Sequence, residues 1–83
     1  MSQFRKRPVV VEAVQYTGAN HDEVDAFVAI SPRATTWVPD HGLRIDTLEG
    51  SMMCDVGDWI IRGVQGEIYP CKPDIFAATY EAL

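Results

Sequence analysis

Leu48–Tyr80 reads LEGSMMCDVGDWIIRGVQGEIYPCKPDIFAATY, and its reading decides the fold. Short apolar runs alternate with glycine-bearing turn signals every 8–10 residues. That spacing predicts a meander of antiparallel strands. Ser51–Val56 sends Met52, Cys54 and Val56 to one face, with Ser51 and Asp55 on the other. Gly57-Asp58 turns the chain into Trp59-Ile60-Ile61-Arg62-Gly63-Val64, the most hydrophobic run and the expected central strand. Gln65-Gly66 turns it back into Glu67-Ile68-Tyr69-Pro70, which belongs near an edge because proline cannot donate to a ladder. Pro73 starts a helical turn in which Ile75 and Phe76 are expected to plug one end of the core. Thr79-Tyr80-Glu81 is a further candidate strand.

Outward from this stretch, Leu43–Leu48 alternates cleanly, with Glu49-Gly50 as its turn. Thr36-Trp37-Val38 precedes it, separated by the turn residues Pro39-Asp40-His41-Gly42. Pro8–Tyr16 is β-branched and aromatic, but Glu12 and Gln15 have opposite parity. Either that strand is partly covered on both faces or a bulge shifts its register. Between lies one amphipathic segment. Asn20 is its expected N-cap, with Glu23 in a capping-box position and Asp22 beside it at the positive dipole end. Val24, Phe27, Val28 and Ile30 share a face, Asp22 and Asp25 face water, and Ser31-Pro32 ends the helix. The architecture expected is α+β: a single small domain, residues 1–83, with a strongly bent antiparallel sheet of five or six strands, open to curling into a partial barrel, packed by one helix.

Composition narrows the function. The net charge of −5 argues against binding a nucleic acid polymer, which needs clustered cations. Arg5-Lys6-Arg7 is the one basic patch, read as a solvated approach to the first strand. No run is long or apolar enough for a membrane helix, and Met1-Ser2-Gln3-Phe4 leads into charge, unlike a secretory leader. A cytoplasmic location is expected, with Cys54 and Cys71 reduced. Dinucleotide, P-loop and zinc-ligand spacings are missing from the sequence, so no cofactor or metal is expected.

Two blocks, Phe4–Ala13 (FRKRPVVVEA) and Gly57–Phe76 (GDWIIRGVQGEIYPCKPDIF), resemble a family of small proteins encoded by bacteriophages and prophages, common in actinobacteria and other Gram-positive hosts. The resemblance implies a viral or prophage origin and supplies no catalytic motif. Phage genes of this size are often accessory: inhibitors of host enzymes, or proteins that blunt host defence, some by sequestering nucleotide signals.

Trp59, Arg62, Tyr69, Cys71, Lys72 and Asp74 form the densest cluster of capable side chains. Of these, Arg62, Tyr69, Lys72 and Trp59 are the candidate ligand-binding residues: a guanidinium and an ammonium for an anion, rings for stacking a base. The bland alternative puts Trp59 and Tyr69 in the core and pairs Arg62 with Glu67 across the strands. Lys72 beside Cys71 could lower the thiol pKa, but neither His21 nor His41 has sequence support for meeting it. Asp58 is explained by an Asx-type turn bond, and the other acids by solvation.

The leading expectation is a non-enzymatic accessory binding protein, capturing a small anionic, nucleotide-like ligand, with a homo-oligomer as one way to complete a shallow site. An inhibitor of a host protein and a small enzyme of unknown reaction stand as alternatives. Two stability expectations accompany it: Trp59→Ala costing about 3–5 kcal/mol as a core truncation, and Asn20→Ala about 1 kcal/mol as a lost cap.

Overall fold

A computed structural model describes residues 1–4, 9–31 and 34–83. The expectations for Arg5-Lys6-Arg7, for Pro8 and for Pro32 as helix terminator lie outside the described residues. Chain order is β1 (Glu12–Gln15), α1 (His21–Val28), β2 (Thr35–Val38), β3 (Gly42–Thr47), β4 (Gly50–Cys54), β5 (Trp59–Arg62), β6 (Ile68–Cys71) and α2 (Pro73–Thr79). The protein is a small α+β domain. Its six described strands form two open antiparallel sheets of three, ordered β1-β5-β6 and β2-β3-β4. β5 is central in the first and β6 an edge, as the hydrophobic run and Pro70 predict. The chain crosses from one sheet to the other at Asp55–Asp58.

The sheets divide where the sequence turns. β3 and β4 meet through the two-residue loop Leu48-Glu49, with Thr47 opposite Gly50. β2 and β3 meet through Pro39-Asp40-His41, where Asp40 takes φ 64° and His41 N–H donates to the Val38 carbonyl at 3.0 Å. Gly42 follows with φ 150°, and a Cβ there would run into the Cys54 carbonyl. This position therefore requires glycine. Gly42→Ala is expected to lower the urea unfolding midpoint by about 2–4 kcal/mol in free-energy terms, through strain and displaced β3–β4 pairing.

β1 is shorter than its β-branched run. Val9 and Val10 are exposed, and pairing with β5 begins at Glu12↔Arg62 and continues without a bulge to Gln15↔Trp59. The parity break at Gln15 has a different cause: Val14 and Tyr16 are buried on one face while Ala13 and Gln15 are half-buried on the other. Both faces are partly covered.

The principal core joins the two inner sheet faces under α1. Val14, Tyr16, Val24, Val28, Leu43, Ile45, Cys54, Ile60 and Ile68 form it, with Phe27 and Trp37 packed against them. Several expected core residues lie outside. Ile30 is beyond the helix end and exposed; Met52, in β4, and Val56, in the turn after it, are exposed as well. Ile75 is also exposed, so only Phe76 of α2 packs inward. Of the residues expected to form a last strand, Thr79 ends α2, Tyr80 is its extended C-cap with its N–H donating to the Phe76 carbonyl at 2.9 Å, and Glu81 joins no strand.

Asn20 precedes α1 but does not cap it through its side chain. Its Oδ1 accepts from Thr17 N–H (2.8 Å) and Thr17 Oγ1 (3.1 Å), while its Nδ2 donates to the Gln15 carbonyl and to Glu23 Oε1, both at 2.7 Å. Asn20 thus ties the end of β1 to the first helical turn. Asn20→Ala is expected to cost about 1–2 kcal/mol, toward the upper part of the cap range, read from the thermal midpoint.

Candidate functional site

β5 shows why the four sequence-chosen residues do not share one site. Alternation sends Ile60 and Arg62 toward α1, and Trp59 and Ile61 to the opposite face. Tyr69 pairs with Ile61 and so lies on the Trp59 side, away from Arg62. Trp59 is half-buried and stacks on Phe76, with ring centroids 4.2 Å apart and planes 5° apart. Phe76 in turn meets Tyr80 at 5.1 Å. These rings are the dock for α2. Trp59 is therefore outside the principal core, and Trp59→Ala is expected to cost about 2 kcal/mol by loosening α2, less than a fully buried indole would.

Arg62 is held on the other face. Its guanidinium lies 4.3 Å from the centroid of the Phe27 ring, donates to the Phe27 carbonyl at 2.9 Å and pairs with Glu12 at 3.1 Å. The cross-strand partner is thus Glu12 and not Glu67, because Glu67 precedes β6 and turns its carboxylate to the Gln65 N–H at 3.0 Å.

Lys72 lies at a third place. Its ammonium bridges Asp58 Oδ2 at 2.9 Å and Asp55 Oδ2 at 3.3 Å. Asp58 is 3% exposed and its Oδ2 also accepts from the Asp55 N–H at 2.9 Å. The turn bond expected of Asp58 exists, but it runs back to Asp55, and the residue is buried and ion-paired as well. Asp74 is exposed in the first turn of α2.

The thiols are held neutral. Burial, then Asp58 and Asp55, push Cys54 up to about 12. Burial, then Asp58 and Asp74, raise Cys71 above its ordinary value, opposite to the lowering expected from Lys72. Burial and a hydrogen bond with Tyr80 push Tyr69 up to about 12. Groups with raised folded-state pKa values stabilise the fold below their unfolded values and cease to do so as pH rises through the folded ones. From the ordinary values of 9.0 for a thiol such as Cys54 and 10.0 for a phenol such as Tyr69, stability is expected to decline from about pH 9 to pH 12. Urea midpoints across that range check it, and Tyr69→Phe is expected to shallow the decline.

The sequence-based choice missed a groove of about 390 Å³ between the end of β1, the start of α1 and the β2–β3 loop. Tyr16, His21, Trp37, Asp40 and His41 line it, with Val56 at its edge. The rings pack on one another: Tyr16–His21 centroids are 5.4 Å apart, His21–Trp37 4.4 Å and Tyr16–Trp37 5.3 Å. Tyr16 OH and His21 Nε2 share a hydrogen bond of 3.1 Å, and the Trp37 indole N–H donates to Asp25 Oδ1 at 2.7 Å. Asp25 is thus engaged by the indole, although it is exposed as expected. No local motif announces this site, since its residues come from four segments; the signal available was the placement of Trp37 and His41 on either side of a turn.

Among the described residues no cluster of three or more His, Cys, Asp or Glu side chains is placed to hold a metal ion. No helix among them is long and apolar enough to cross a membrane. Comparison with family models, with curated proteins and with solved structures finds no match.

Proposed function

We propose that this chain is a non-enzymatic accessory binding protein of phage or prophage type, acting in the host cytoplasm, and that it engages its ligand through the Tyr16–His21–Trp37–His41 groove. The observation that carries the reading is a contrast. Arg62 and Lys72 are committed to ion pairs and Cys54 to burial, whereas the groove exposes His21, Asp40 and His41 beside the half-buried Trp37. Small-ligand sites commonly combine such apolar walls with a few polar groups in this volume range. Capture of an anion at Arg62 and Lys72 would first have to break their ion pairs with Glu12, Asp55 and Asp58, so the groove is the better-supported place. The raised thiol pKa values disfavour a nucleophilic thiolate at Cys54 or Cys71.

Calorimetry and thermal shift with mono-, di- and cyclic nucleotides, beside a pull-down from host lysate, test the proposal. A ligand or host protein bound stoichiometrically by the wild type and lost by Trp37→Phe is the expected result. Binding that survives Trp37→Phe but is lost in Arg62→Gln would place recognition elsewhere and overturn it.

A further inference from the structure

Building on the groove reading, the geometry points to a cationic occupant: we infer that the groove receives the arginine side chain of an extended segment from a partner protein. Tyr16, His21, Trp37 and His41 border it, and an indole face attracts a guanidinium. Asp40 stands in the lining, held at φ 64° by the β2–β3 loop, and neither lysine nor arginine is among the lining residues. The Asp25 carboxylate accepts the Trp37 indole N–H and so makes that ring more electron-rich. Asp22 and Glu23 offset the positive end of α1 beside His21. The whole chain, at −5, steers a cation inward and an anion away. The groove is open along the surface, which suits a side chain carried on a backbone better than a small free cation needing full enclosure. Arginine fits better than lysine, because a planar guanidinium can stack on a ring while its N–H groups reach Asp40.

The probe is the peptide acetyl-Gly-Pro-Arg-Pro-Gly-amide, titrated into the labelled protein while the two indole N–H resonances are followed by NMR. Its citrulline analogue has nearly the same shape without the charge. The arginine peptide is expected to move the Trp37 resonance and leave Trp59 in place, and the citrulline peptide to bind about five- to tenfold more weakly. Asp40→Asn, which keeps a residue tolerant of positive φ, is expected to remove most of that difference. Equal binding of the two peptides, or binding of agmatine as tight as that of the arginine peptide, would overturn the inference. A Trp37 resonance that answers a nucleotide and ignores the peptide would overturn it too, while leaving the groove as the binding site.

Discussion

Ile60→Ala is expected to destabilise the protein by about 3–4 kcal/mol, more than truncating its bulkier neighbour Trp59. Ile60 is fully buried at the centre of the β1-β5-β6 sheet, opposite Val14 and Pro70 in register. Its side chain belongs to the core shared with α1 and the second sheet. Removing it leaves a cavity between two sheets that are each pinned by their own ladders, so collapse around the void is limited. Trp59 points the other way, onto α2, whose attachment can loosen without opening the core. Chemical denaturation of the two variants compares them directly. A domain of this size has roughly 4–12 kcal/mol of stability to lose, so Ile60→Ala is expected to leave a measurable fraction unfolded under mild denaturant.

The second large effect is expected at Asp58. Asp58→Ala removes the acceptor of the Asp55 N–H and the closer of the two carboxylates on Lys72, in the turn that joins the two sheets. The same turn ties back to β1, with Tyr16 N–H donating to the Asp58 carbonyl at 2.9 Å and Gly57 N–H donating to the Tyr16 carbonyl at 2.7 Å. Losing a buried, charge-assisted acceptor there is expected to cost about 2–4 kcal/mol. Asp58→Asn keeps an acceptor for the Asp55 N–H and is expected to recover about half of that loss. The Lys72→Met variant provides the complementary reading, because it leaves the Asp58 carboxylate buried beside one fewer cation. Thermal midpoints of the wild type and the two Asp58 variants, measured at one pH, are expected to fall in the order wild type, then Asp58→Asn, then Asp58→Ala. An Asp58→Ala midpoint equal to that of the wild type would remove the turn from its place as the hinge of the fold.

The strand pattern was legible because glycine and turn residues punctuate it at short, regular intervals, and local chemistry suffices to read such punctuation. Six strands, α1 and the short helix begun by Pro73 all follow from it. What local chemistry leaves open is which strands pair. The sequence runs β4 into β5 through a tight turn that looks like a hairpin, yet the Asp55–Asp58 turn passes the chain to the other sheet, where β5 pairs with β1 from the far end of the sequence. That long-range pairing decides the face of every side chain on β5. It is why Arg62 meets Glu12 and Phe27 and not Glu67, and why Trp59 lies under α2. The burial of Asp58 was hidden for the same reason, since a carboxylate in a Gly-Asp turn carries no local sign of the lysine 14 positions later that closes over it. The groove was the least legible feature. Tyr16, His21, Trp37 and His41 each look ordinary in their own segment, and only the approach of α1 to the β2–β3 loop gathers them.

The account depends on recognition occurring at the Trp37 groove while Arg62, Tyr69, Lys72 and Trp59 hold the fold. The two tryptophans make one measurement decisive, because one marks each place. With a bound ligand or partner in hand, the shift of each indole N–H is followed through a titration. Movement at Trp37 with Trp59 unchanged is the result the account predicts. Movement at Trp59 with Trp37 unchanged would contradict it and return the binding site to the face that carries Tyr69.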